Sequence, residues 1–168
     1  MLDESDPGML SPGWAAADVS RVSDRAWIQE ALRVESALAV YQAGFGIIPA
    51  QAAATIERVA GSLQVDPRSL AQGVYEASNS AIALVKTLQA AVDREAPGTS
   101  DYVHVGATSQ DILDSASILV CAEALLQMQW NLAAAHGHLV ELMRRHGAAR
   151  RPWWAEPYPS TPCPWPSG

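Results

Sequence analysis

The sequence predicts an all-α protein. No strand-like alternation of useful length occurs anywhere in it. Apolar residues instead recur at three- and four-residue spacings, in segments bounded by helix caps and stops. From Gln110 to about His146 there is no proline, and only Gly137 interrupts the pattern. The 168 residues are 49% apolar and 17% charged, enough for one ordinary domain with a sizeable core.

Residues 1–19 are Pro/Gly-rich and acidic at their start, and are expected to form a flexible arm. Ser23 opens the first helix, Asp24 lies in its first turn, and Gly44 and Gly46 supply its stop. Trp27, Leu32, Ala37, Leu38 and Tyr41 fall near one face and are the expected contact stripe. The "GFG" at 44–46 lacks a third glycine and a preceding strand, so it reads as a turn and not a dinucleotide loop. Pro49 suits the first turn of a second helix, Asp66-Pro67 starts a third, and "NSAIALVKTLQAAVDREA" is a fourth. A loop over residues 95–107 leads into the fifth helix. There Ile112, Ala116, Leu119, Leu126, Trp130, Ala133 and Val140 form a long apolar row, with Glu123 its one charge. At ~1.5 Å per residue this helix is roughly 50 Å long. Four shorter helices cannot cover such a face, so partner helices are expected. The chain thus divides into an arm (1–19), a helical domain (20–108), a long helix (109–147) and a Pro/Trp-rich tail (148–168).

The net charge of −7 leaves no basic face for nucleic acid. Asp114, Glu123, Gln127, Asn131 and Glu141 exclude a membrane span over the long helix. Cys121 and Cys163 make no disulfide framework or metal spacing. With no basic-then-apolar leader at the start, they point to a reducing, cytoplasmic setting. Cys121 sits among apolar residues and reads as core. His136, His138 and His146 lack the four-residue spacing of a helical metal site, so no metal is expected. Lys86 reads as a solvated helix end, and Arg144, Arg145, Arg150 and Arg151 as a complement to the helix dipole.

The stretch "YVHVGATSQDILDSA", residues 102–116, carries the chemistry. Thr108-Ser-Gln-Asp111 has the form of a capping box, in which Thr108 accepts from the amide three residues on and Asp111 reaches back. Gly106 permits a tight approach or a positive φ. A cap accounts for Thr108 and Asp111, but not for His104, Ser109 or Gln110. The free amides of a helix start, with Ser and Thr hydroxyls and a Gln amide beside them, suit a carboxylate. Both readings stand on the residues alone.

"VHVGATSQDILDSA" resembles the first signature loop of the fumarase/aspartase lyase superfamily. The branch it resembles most is 3-carboxy-cis,cis-muconate cycloisomerase, whose loop runs much like H-W-G-A-T-S-Q-D-I-x-D-T-A. Here Val105 stands in place of the Trp and Ser115 in place of the Thr. "SDRAWIQEALRVESALAVYQAGFGIIPAQAAATI" is similar to that branch's first helices, and "AIALVKTLQAAV" to its I-P-L-V helix. The resemblance spans residues 10–146. It implies the N-terminal helical domain of the lyase fold plus the first long helix of its central bundle. It further implies a homotetramer joined through long helices, with sites built from three subunits' loops, no cofactor, and a small polycarboxylate substrate. By the same resemblance His104, Thr108, Ser109 and Gln110 face substrate, while Asp111 holds the helix start. The superfamily's chemistry is anti addition or elimination next to a carboxylate. In the cycloisomerase branch a carboxylate adds across a double bond to close a lactone, in protocatechuate catabolism.

The second and third signatures, "GRTxxQ" and "GSSxMPxKxN", are absent from the sequence. General acid–base catalysis needs a positioned donor and acceptor, so no catalytic residue is assigned and a truncated, inactive copy is expected. An adenylosuccinate-lyase-like elimination enzyme and a non-catalytic self-associating fragment are the alternatives. The tail holds six of the chain's eleven prolines and three of its six tryptophans, and its prolines forbid helix. Read from the third base of each codon, residues 151–168 permit P-M-V-G-R-T-L-(S/P)-Q-H-A-V-P-V-A-F-G. That resembles the superfamily's second signature in register. A frameshift or sequencing error between about His146 and Arg151 accounts for it. The gene's nucleotide sequence is expected to spell this translation in the shifted frame; codons there incompatible with GRT and QHA would refute it.

Overall fold

The computed structural model describes residues 20–146. The expected arm (1–19) and tail (148–168), with Cys163, lie outside the described residues. Two compact units divide the chain, Met1–Leu125 and Leu126–Gly168. Among the described residues there are helices, turns and no strand.

A 3-10 turn, Ser20–Val22, precedes helix α1, Asp24–Gly44. The side chain of Ser23 caps α1 by accepting from Ala26 N at 3.2 Å. Its far end closes through bonds from Phe45 N to Tyr41 O and from Ile47 N to Gln42 O. Gly46, at φ +70°, supplies the left-handed residue that this reversal requires. Helix α2, Ala50–Ser62, follows Pro49, which takes the cap position just ahead of the first turn. Asp66 caps α3, Pro67–Ala77, accepting from Ser69 N at 3.1 Å. Asn79 caps α4, Ser80–Glu95, accepting from Ala81 N at 2.9 Å and Ile82 N at 3.2 Å. In the following loop, Asp93 accepts from Gly98 N and Ser100 Oγ. Those bonds fold a second 3-10 turn, Ser100–Tyr102, within the span expected to be irregular. Helix α5 is Ser109–His146.

Within the first unit α1 packs chiefly on α2 and α3 chiefly on α4, with α2 and α4 also in contact. Ile56, Leu84, Leu88, Val92 and Ile112 are fully buried where these helices meet. Ile112 and Ala116 bring the start of α5 into that core. An Arg58–Glu95 ion pair joins α2 to the end of α4, and Arg21 meets Glu123 at 3.2 Å.

The buried stripe of α1 differs from the expected one. Ile28, Ala31, Leu32, Glu35, Ala39 and Gln42 are buried, whereas Ala37 and Tyr41 are exposed and Trp27 and Leu38 are half-buried. Helical spacing gives both stripes; the observed one is selected because its two polar members have partners in the loop before α5. Cys121 is exposed, which corrects its expected place in the core.

In the second unit, residues 126–146 of α5 are exposed apart from Glu141. Leu126, Met128, Trp130, Leu132, Leu139, Val140, Leu142 and Met143 belong to this exposed set. Glu141 pairs with Arg144 at 2.9 Å and Arg145 at 2.6 Å, so these arginines serve an ion pair as well as the helix end. No helix among the described residues is long and apolar enough to cross a membrane.

The core assignment has a direct check. Leu84→Ala is expected to cost about 2–5 kcal/mol in urea unfolding, through lost burial and a residual cavity. Tyr75→Ala, at a position 83% exposed, is expected to stay within about 0.5 kcal/mol.

Candidate functional site

The site is the turn between the second 3-10 turn and α5. Val103, 4% exposed, plugs its first residue into the core. His104 follows at φ +64° and Gly106 at φ +69°, two left-handed residues that reverse the chain around Val105. Glycine accepts that conformation freely; histidine adopts it less readily and is held by a tertiary bond.

That bond comes from α1. Glu35, 1% exposed, places Oε1 2.6 Å from Nδ1 of His104. Two helical turns on, Gln42 donates through Nε2 to the carbonyl of Val105. One oxygen of each α1 side chain, Oε2 of Glu35 and the amide Oε1 of Gln42, is buried without a partner among the described residues. Burial pushes the Glu35 carboxyl above its ordinary range, while the charge and hydrogen bond of His104 pull it back.

The start of α5 is closed by reciprocal bonds. Thr108 N donates to Asp111 Oδ2 at 2.8 Å, and Asp111 N donates to Thr108 Oγ1 at 3.3 Å. The Thr108 hydroxyl also donates to Asp111 Oδ2 at 2.8 Å. These bonds from the amide and hydroxyl of Thr108 hold the Asp111 carboxyl below its ordinary range. Gln110 donates through Nε2 to Asp114 Oδ1 at 2.6 Å, one turn along the same helix. Ser109 accepts at Oγ from Asn79 Nδ2 at 3.2 Å, which ties the cap of α4 to the first residue of α5.

The four residues expected to face substrate are therefore brought together but not equally available. The proton of Thr108 is committed to Asp111, and the amide of Gln110 is held by Asp114. Ser109 accepts from Asn79 and keeps its own O–H free to donate. His104 is engaged at Nδ1, and its Nε2 has no partner among the described residues. The amides of Ser109 and Gln110 open the helix, where no carbonyl four residues back within the helix can accept from them. What remains is one hydroxyl and two backbone amides able to donate, together with the unpartnered ring nitrogen of His104. Asp111 adds a negative charge at its edge. No group of three His, Cys, Asp or Glu side chains among the described residues is arranged to hold a metal.

Sequence reasoning missed Glu35, Gln42 and Asn79. Glu35 and Gln42 are seven residues apart and in register with Ile28, Ala31, Leu32 and Ala39. Polar residues recurring within an apolar stripe are the signal that identifies such supports.

The chain is similar to known lyases. It is 40% identical over 144 residues to nitrosuccinate lyase of Streptomyces davaonensis, covering 85% of this chain and 30% of that protein. With 3-carboxy-cis,cis-muconate cycloisomerase of Pseudomonas aeruginosa it is 39% identical over 142 residues, 83% of this chain and 31% of the other. The crystal structure of 3-carboxy-cis,cis-muconate lactonizing enzyme from Pseudomonas putida superposes with a TM-score of 0.64 at 38% identity, over 67% of this chain and 26% of that one. No family model matches the sequence. The chain thus spans 30% and 31% of the length of those two relatives.

The lowered Asp111 carboxyl fixes a sign. A carboxyl depressed in the folded state contributes stability above the unfolded carboxylate range, and that contribution is lost as pH falls through the folded value. Asp111→Asn is therefore expected to be less stable than the parent chain at about pH 7, the deficit closing as carboxylates protonate toward about pH 3. Urea unfolding at the two pH values measures this, and a deficit independent of pH would contradict the assignment.

Proposed function

The chain belongs to the fumarase/aspartase superfamily of lyases, and on that premise we propose that it is a carboxylate-binding portion of a cycloisomerase-type site. The reaction class proposed is that of 3-carboxy-cis,cis-muconate cycloisomerase, in which a substrate carboxylate adds across a double bond to give 4-carboxymuconolactone. The ligand is a small polycarboxylate. One observation carries this reading: on the short segment from His104 to Gln110 the Ser109 O–H, one ring nitrogen of His104 and the first amides of α5 are left without protein acceptors or partners among the described residues. Donors so placed suit an anionic, oxygen-bearing group. The names of the relatives agree in kind, since nitrosuccinate and carboxymuconate are both polycarboxylates.

The four substrate-facing residues take different parts in this proposal. His104 and Ser109 donate directly. Thr108 shapes the turn through its cap with Asp111, and Gln110 joins only by releasing Asp114. The 168 residues bind without turnover, because a donor set of this kind has no general base placed opposite it. Self-association through the exposed apolar residues of α5 from Leu126 to Met143 belongs to the same proposal. Nothing in the described residues favours an adenylosuccinate-lyase-like elimination over the cycloisomerase reading.

Titration of the labelled chain with tricarballylate, a flexible tricarboxylate, tests the binding. The amide signals of Ser109 and Gln110 are expected to move, and propionate at equal concentration is expected to leave them in place. Ser109→Ala is expected to weaken the effect about three- to tenfold, the loss of one hydrogen bond. Equal responses to both acids would refute the site. Lactone formation from 3-carboxy-cis,cis-muconate by this chain alone would refute binding without turnover.

A further inference from the structure

A buried glutamate against a histidine is a costly arrangement, and it does more than anchor a loop. Glu35 is 1% exposed, its Oε1 lies 2.6 Å from His104 Nδ1, and its Oε2 has no hydrogen-bond partner among the described residues. We propose that Glu35 is a positioning residue for His104, holding the imidazole by Nδ1 and keeping a proton on Nε2. The ring then meets a substrate carboxylate as a hydrogen-bond donor. This inference rests on the carboxylate-binding reading of the site.

The proton count leads there. Two protons on the pair can be placed in two ways. An imidazolium donates from Nδ1 to a carboxylate, or a carboxyl O–H donates to the bare Nδ1 of a neutral ring. Both arrangements are net neutral, and both leave N–H at Nε2. Removing one of these protons gives a carboxylate facing a neutral ring with a bare Nε2, and a net negative charge. An unbalanced charge of that kind is costly inside a protein, more so when one carboxylate oxygen lacks a donor. The burial that raises the Glu35 carboxyl acts in the same direction. From the start of α5, the anionic Asp111 lies close enough to sense the charge of His104, so it too opposes a negative pair.

Geometry limits the ring as well. Nδ1 is taken by Glu35, the backbone of His104 is held at φ +64°, and Gln42 fixes the next carbonyl. Nε2 is left as the one ring nitrogen without a partner among the described residues. A ring held by a single nitrogen from below offers the other to a ligand.

The test uses the full chain with labelled histidine at about pH 7. Long-range proton–nitrogen spectra separate protonated from bare ring nitrogens, and the spectrum of His104→Asn identifies the His104 signals. Nε2 is expected to carry a proton and Nδ1 to show a strongly hydrogen-bonded one. A bare Nε2 in the unaltered chain would overturn the proposal without any variant. In Glu35→Leu, Nδ1 is expected to lose its bonded proton and tricarballylate to bind about tenfold more weakly, the loss expected when a charge-assisted donor is no longer held in place. Spectra and affinity unchanged by Glu35→Leu would also overturn it. If Nε2 is protonated but tricarballylate leaves it unmoved, the carboxylate site fails, and with it the role of the donor. The coupling of Glu35 to His104 would stand.

Discussion

The contact between Glu35 and His104 decides more of the structure than its size suggests. A carboxyl within the buried stripe of α1 must find a partner or be expelled, and the loop ahead of α5 brings one within 2.6 Å. Satisfying it fixes the rotation of α1, because Ile28, Ala31, Leu32 and Ala39 then turn inward with Glu35. Two turns on, the same rotation delivers Gln42 to the Val105 carbonyl. Gly106 follows from the backbone of that loop, held at φ +69°, where a side chain is disfavoured although a Cβ would meet Gln42 Nε2 at an ordinary 3.9 Å. Loop, helix rotation and glycine form one constraint.

Its consequence is a loop that is rigid on its inner side and open on its outer side. Glu35 and Gln42 hold the segment from beneath, Asn79 holds Ser109 from the start of α4, and Thr108 with Asp111 closes the start of α5. Three elements of the first unit, α1, the start of α4 and the start of α5, thus meet at a turn of a few residues. Donors fixed in this way lose little freedom when a ligand arrives, which lets modest hydrogen bonds discriminate.

Much of this was legible in the residues, and what escaped did so for a physical reason. Local signals act over three or four residues, so Ser23, Asp66 and Thr108 announced helix starts that the structure places at Asp24, Pro67 and Ser109. The all-α fold and the superfamily followed from periodicity and from the signature stretch. The face of α1 did not, because hydropathy favours Trp27, Leu38 and Tyr41 over a stripe that contains Glu35 and Gln42. Only partners about sixty residues or more away, His104 and Val105, reverse that preference. The exposure of Cys121 escapes the sequence for the opposite reason. Apolar neighbours along a helix do not ensure that anything packs against them, and Ile118 and Leu125 on either side of it are themselves exposed. Sequence alone does not distinguish Ser109 from Gln110 as donors, since it cannot show that one amide already has a carboxylate one turn away.

Charge balance decides what such a site can do by itself. A net-neutral Glu35–His104 pair, a serine hydroxyl and two amides offer hydrogen bonds without a fixed positive charge. Asp111, stabilised as an anion, cancels part of the field at the start of α5. Neither an arginine nor a lysine of the described residues hydrogen-bonds to the turn. A polycarboxylate meeting this surface alone can therefore be oriented, but little of its charge is neutralised. In the proposed function its remaining carboxylates must find cations on other elements. The ring of His104 then joins the ligand to the buried Glu35, so that ligand charge and the buried carboxyl are coupled through a single side chain.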